Sequence, residues 1–258
     1  RELLFSEGKP YRETLVAESA RNLRGMEIFS LVNLIAVRGE HAGEVGVVVF
    51  ARDLWSLRLE QAFQMTGSQI DLLTLQLTER NFLGRGKLAA VNFHLFPITF
   101  SVGQLYSDRR VWGSKLSFFE STSFIYNRES GELEGNVGQL WFGKPLYSLG
   151  QRWSYGFSIA ADRHIARQTQ TGEVLNYDIP ETAEEEGIPR VWSYRGVGAS
   201  IALTRQFGRV WKQRVSGGVG GVWTENEANG GTSLLESQVE AFERDVLPDD
   251  SREVYPTL

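Results

Sequence analysis

From Leu54 onward the apolar residues of this chain recur with a period of two. Leu57, Leu59, Phe63 and Met65 alternate with Arg58, Glu60, Ala62 and Gln64, and Leu73, Leu75 and Leu77 with Thr74, Gln76 and Thr78. Ala89, Val91, Phe93 and Leu95 alternate with Ala90, Asn92 and His94; Trp153, Tyr155, Phe157, Ile159 and Ala161 with Ser154, Gly156, Ser158 and Ala160. Val197, Ala199, Ile201 and Leu203 continue the pattern against Gly198, Ser200, Ala202 and Thr204. Period two is the signature of strands. The composition of the second face constrains the fold further. A soluble sandwich turns its polar face to bulk water, where Lys, Glu and Thr dominate. Here that face is small and weakly polar, which suits the crowded or water-filled interior of a barrel with an apolar exterior.

Nine strands are predicted, at about 55–66, 69–82, 87–96, 98–107, 114–126, 133–143, 152–163, 191–206 and 210–223. Their connections alternate. Gly84–Lys87, Arg109–Gly113, Lys144–Gly150 and Phe207–Arg209 are tight, whereas Asn127–Glu132, His164–Arg190 and the stretch after Thr224 are longer. Gly67-Ser68 and Phe96-Pro97 are short links on the long side. Short turns on one rim and long loops on the other characterise outer-membrane barrels. All seven prolines (10, 97, 145, 180, 189, 248 and 256) are expected outside strand interiors. Trp55, Trp112, Trp153, Trp192, Trp211 and Trp223 fall near strand ends, as an interfacial girdle requires. Trp141 does not fit, and Glu120, in phase with Phe118 and Phe124, predicts a bulge or a reversed face.

Composition removes other classes. No stretch approaches the roughly 18 apolar residues of a membrane helix, and the 258 residues contain no cysteine, hence no disulfide scaffold or thiolate metal site. The formal charge of -5 argues against nucleic acid. From Thr224 to Leu258 nine carboxylates face two arginines, a net of -7, which leaves about +2 for the remainder. Leu234, Leu235, Val239, Phe242 and Val246 predict a short amphipathic helix there, read as a helix on a solvated loop.

Residues 1–53 differ. Leu15, Val16, Ser19, Ala20 and Leu23 have helical spacing, with Gly25 as a stop. Ile28–Val37 and Glu44–Phe50 then read as a hairpin. One helix on two strands is undersized, and there is no initiator Met at Arg1, so a further strand is expected ahead of it.

Catalytic chemistry is not expected. His41, His94 and His164 show no metal-ligand spacing, and His94 with Asn92 reads as two polar interior residues rather than half of a hydrolase site. No cofactor or metal is predicted.

One segment is more specific. Glu79-Arg80-Asn81-Phe82-Leu83-Gly84-Arg85-Gly86-Lys87 resembles the E-x-N-(aromatic)-L-G-x-G signature near the barrel start of BamA-type outer-membrane assembly factors, the bacterial surface antigen family. Phe5–Tyr11 and Glu18–Arg24 resemble the later part of a POTRA (polypeptide-transport-associated) domain. The resemblance implies a mainly β chain: a partial α+β POTRA domain over 1–53, then about nine strands of a sixteen-stranded transmembrane barrel over 54–258, with a long acidic loop at 224–258. Closure needs an even strand number, so the chain is expected to stop before a tenth strand. It implies an assembly factor that is no enzyme and that templates client strands at a barrel seam. Here that seam is Leu57, Arg58, Leu59, Glu60, Gln61, Ala62 and Phe63. The POTRA edge strand would carry Ile28, Ser30, Val32 and Leu34, and the motif residues are Glu79, Asn81, Phe82, Gly84 and Gly86. Implied partners are unfolded outer-membrane clients, outer-membrane lipid and accessory lipoproteins, at the bacterial outer membrane with residues 1–53 periplasmic. The family's (V/I)-R-G-(F/Y) loop motif is absent. A POTRA-barrel translocator of one secreted partner shares this plan. A barrel phospholipase, a porin and a soluble β-rich binding domain are the readings from other classes.

Overall fold

A computed structural model describes residues 2–170, 172–178, 187–208, 211–228 and 236–257. The chain is mainly β. A helix, α1 (Glu13–Arg24), is followed by the hairpin β1 (Phe29–Arg38) and β2 (Val45–Asp53). A second, larger sheet follows: β3 (Leu57–Thr66), β4 (Gln69–Phe82), β5 (Lys87–Leu95), β6 (Thr99–Asp108), β7 (Ser117–Asn127), β8 (Leu133–Lys144) and β9 (Trp153–Arg167). Four two-residue strands occupy the next loop: β10 (Thr169–Gln170), β11 (Glu173–Val174), β12 (Asn176–Tyr177) and β13 (Ile188–Pro189). The large sheet resumes with β14 (Val191–Phe207) and β15 (Gln213–Ala228), and after α2 (Glu236–Asp245) ends with β16 (Ser251–Thr257).

The sheet is a ten-stranded antiparallel meander, open, with β3 at one edge and β16 at the other. The expected count of nine is therefore corrected. Ser251–Thr257 is a tenth strand, paired with β15 from Gly218↔Thr257 to Thr224↔Ser251. Pro256 lies within it, opposite Val219, contrary to the expectation that every proline lies outside strands. An edge strand is where a sheet tolerates proline. Pro189 likewise sits in the two-residue β13, and Pro180 is outside the described residues.

The large sheet inverts the ordinary pattern of burial. Register places Leu59, Leu77, Val91, Val102, Phe157, Ile201, Val219 and their neighbours on one face. That face is exposed: Phe63 is 75% accessible and Val254 81%. The least accessible side chains belong to the other face, where Thr78 is 2% and Gln206 4% exposed. Buried apolar residues elsewhere gather in small sets under α1 (Val16, Ala20, Ile28, Val32) and in the long loops (Tyr177, Ile188, Phe242). The large sheet therefore has no apolar core of its own.

Crowding on the inner face explains Trp141. It points inward, opposite Ser158, and a Cβ on Gly156 would come within 2.8 Å of its indole nitrogen. The missing side chain makes room for the ring. Glu120 corrects the sequence reading in the other direction. The β6–β7 register is unbroken there, the shift in β7 lying at Ile125/Tyr126, so Glu120 stays on the apolar outer face. Its carboxylate accepts bonds from Gln104 (2.6 and 2.9 Å) and Thr122 (2.6 Å), which offset part of the cost of a charge among apolar groups.

Turns follow the expected asymmetry only in part, because the links at 109–116 and 145–152, expected to be tight, are eight residues each. The links at 83–86, 109–116 and 145–152 share one rim with Gly208 and Lys212, and Trp55, Trp112, Trp153 and Trp211 lie there too. The two longest links, from β9 to β14 and from β15 to β16, lie on the opposite rim beside short ones at 67–68, 96–98 and 128–132, and there α2 is not simply solvated. Phe242 is buried against Tyr177 and Ile188, with the Tyr177 and Phe242 rings edge-on at 6.2 Å. Leu234 and Leu235 lie outside the described residues.

Candidate functional site: open strand edges and the junction of the two units

Two strands carry the predicted pairing residues, and both have an open edge. β3, with Leu57, Arg58, Leu59, Glu60, Gln61, Ala62 and Phe63, pairs with β4 alone, in register from Leu57↔Glu79 to Phe63↔Leu73. Its second row of backbone N–H and C=O groups has no strand partner among the described residues. Nearly every β3 side chain is exposed. In β1, Val32 and Leu34 share a face, the ladder shifts register between Phe29 and Leu31 so that Ser30 lies at a bulge, and Ile28 is just ahead of the strand. Val32 and Ile28 are buried beside α1 and Ser30 is exposed. β1 and β2 form a two-stranded sheet, so each has a free edge, and the geometry does not single out β1.

The motif residues build the β4–β5 turn. Asn81 closes it: its side-chain oxygen accepts from Gly86 N–H at 2.8 Å, and its carbonyl accepts from Gly84 N–H at 2.7 Å. Asn81 N–H in turn donates to the Glu79 carboxylate at 2.7 Å. Leu83, Gly84 and Gly86 all have positive φ (55°, 68° and 64°), which only glycine adopts without strain. Phe82 closes the ladder opposite Lys87.

This turn also docks the N-terminal unit. A Cβ on Gly86 would sit 2.7 Å from the Met26 methyl, so the segment after α1 lies directly on the turn. Arg80 forms an ion pair with Glu27 and approaches Glu60 of β3 at 3.9 Å, while Arg58 donates to the Glu27 carbonyl at 3.2 Å. Glu27 adopts φ 58°, a left-handed conformation costing about 1–2 kcal/mol for a residue with a Cβ. The predicted seam strand and the motif turn thus meet at one junction, and Met26 and Glu27 supply its other half.

Further contacts extend it. Arg109 donates to the Gly25 carbonyl, and Arg110 pairs with Glu2 at 2.6 Å. Buried Glu18 accepts from the Leu149 N–H at 3.1 Å. Sequence reasoning missed Glu18, Met26, Glu27, Arg109 and Arg110. No sequence signal marks Glu18, which lies outside the helical stripe of Leu15, Val16, Ser19, Ala20 and Leu23.

The histidines are dispersed. His94 contacts Thr74 at 3.1 Å, His164 contacts Asp162 at 2.8 Å and His41 contacts Glu44 at 3.1 Å. Among the described residues no three His, Asp or Glu side chains converge on a point that could hold a metal ion.

No protein-family model matches this sequence, and no curated protein matches it. Among solved structures, the chain is similar to BamA from Haemophilus ducreyi lacking POTRA domains 1-3. That likeness covers 91% of this chain and 56% of the other, with a TM-score of 0.49 and 11% identity. The chain therefore spans about half the length of that structure.

Proposed function

We propose that this chain is the hinge region and half-barrel of an outer-membrane assembly factor, and that β3 templates client strands. The inverted burial of the large sheet carries the reading. An exposed apolar face that runs over ten strands, above a small polar interior, is unstable in water and suited to hydrocarbon. In hydrocarbon every backbone polar group must be paired, so the free edge of β3 would need a partner strand. A seam that opens offers those groups to an incoming strand, and backbone pairing asks little of the client's sequence.

On this reading residues 54–258 belong to the barrel and residues 1–53 to a periplasmic POTRA domain docked beneath the rim that carries the β4–β5 turn. The long loops face outward. Clients are unfolded outer-membrane proteins, with accessory lipoproteins as further partners, and the chain performs no catalysis.

These 258 residues carry no native thiol that would compete with an introduced one. A single thiol at Gln61 of the whole protein, carrying a photo-crosslinker, should form adducts with a nascent barrel client. A thiol at Gln139, inside the sheet, should not. Adducts at Gln61 no stronger than at Gln139 would sink the proposal.

A further inference from the structure

Between α1 and the rim of the sheet lies a cleft of about 710 Å³, bounded by Thr14, Ala17, Glu18 and Arg21, by the turn at 149–152, and by the end of β14 with Gly208 and Lys212. Its electrostatics are one-sided. Arg21, Arg152, Arg205 and Lys212 line it against a single carboxylate, Glu18, which is buried and already bonded to Leu149 N–H. Among the described residues none of the four cations has a salt-bridge partner, although the chain as a whole is acidic. Lys212 donates to the carbonyls of Leu149 (2.8 Å) and Gly208 (2.9 Å), which leaves one of its three N–H groups. The Arg205 guanidinium lies 4.9 Å from the Trp153 ring centre and 4.7 Å from that of Phe207. Stacking uses its faces and leaves its N–H edges available to a phosphate, the role in which arginine exceeds lysine.

Position then selects among anions. Trp153, Arg205 and Phe207 stand at the rim end of the outer face, directly above the exposed Tyr155, Ile201 and Leu203. We infer that the cleft binds the phosphate of an anionic phospholipid, whose acyl chains lie along that apolar surface. Unneutralised cations lining one cleft repel one another, and a phosphate between them relieves that repulsion. Because the same lipid touches α1 and the turns, it would fasten the N-terminal unit to the rim. This inference rests on the proposal that the outer face lies in a bilayer.

The whole protein is refolded into vesicles of phosphatidylcholine, with and without phosphatidylglycerol, beside the variant Arg21→Gln/Arg152→Gln/Arg205→Gln. Folding is read from heat-modifiable gel migration, and retained lipid from native mass spectrometry after mild detergent extraction. The wild type should retain phosphatidylglycerol over phosphatidylcholine by about tenfold, and the variant should fold yet lose that preference. Arg152→Gln alone, in an exposed turn, should weaken the preference without touching the sheet. Equal retention by wild type and variant overturns the inference, as does displacement of the lipid by inorganic phosphate, which would make the occupant a soluble anion. Failure of the wild type to enter either vesicle overturns the bilayer reading itself. Entry without lipid preference overturns only the cleft.

Discussion

The Glu18 carboxylate in α1 accepts a hydrogen bond from the backbone N–H of Leu149, 131 residues later, at 3.1 Å. This contact fixes the helix against the β8–β9 turn. Glu18 is buried, so its loss cannot be made good by another side chain without repacking. Glu18→Ala should weaken docking by about 1.5–3 kcal/mol, the worth of a hydrogen bond to a charged group. Glu18→Gln keeps an acceptor oxygen and should retain much of it. Amide hydrogen exchange at Leu149 measures both. Unchanged protection in Glu18→Ala would mean that the helix is held elsewhere.

The motif glycines separate two costs. Gly84 and Gly86 have nearly the same φ, but a Cβ on Gly84 meets nothing within 4 Å, whereas one on Gly86 meets Met26 at 2.7 Å. Gly84→Ala should cost about 1–2 kcal/mol from backbone conformation alone. Gly86→Ala should cost that and also displace Met26, loosening the N-terminal unit. Limited proteolysis around residues 25–28 distinguishes them: only Gly86→Ala should increase cleavage there.

Legibility in the sequence followed the strength of local periodicity. The range of β4 and the start of β5 and β8 could be read directly, because Leu73-Leu75-Leu77 and their like repeat without interruption. β16 could not. It has few apolar residues, its proline argued against a strand, and it lies in an acidic stretch, so only its partner β15 defines it. The strand at the predicted seam was legible, and so was the motif. The junction joining them was not, since Glu27 and Arg80 are 53 residues apart and nothing in either segment announces the other. Glu120 was legible as an anomaly, but its resolution depended on Gln104 across the ladder.

The loop core has a defined pH window. Tyr177 donates to Asp245, whose carboxyl is held down at about 2 by the Arg244 guanidinium and then by the Tyr177 hydroxyl. A depressed acid contributes fully above its ordinary value of 3.8 and loses its contribution as pH falls through about 2. The Tyr177 phenol is raised above its ordinary 10, by the bond to Asp245 and by burial, so its contribution is present below 10 and lost at higher pH. The contact should thus be constant from about pH 4 to 10. Tyr177 fluorescence or ring NMR shifts should be flat across that range and move only outside it. A transition near neutrality would contradict the assignment.

Glu120 tests what covers the outer face. In hydrocarbon, a carboxylate with two hydrogen-bond donors still bears a desolvation cost, so Glu120→Leu should stabilise the protein folded in vesicles by about 1–2 kcal/mol. Gln104→Leu leaves the carboxylate with Thr122 alone and should destabilise by about 1–3 kcal/mol. Once Glu120 is leucine, Gln104→Leu should be near neutral, because no charge is left unpaired. The two residues are in contact, so the four proteins form a cycle with a coupling energy measurable by urea unfolding. The opposite sign for Glu120→Leu carries a definite meaning. If the substitution destabilises, Glu120 faces water or a polar partner, and the apolar surface around it is covered by protein rather than lipid.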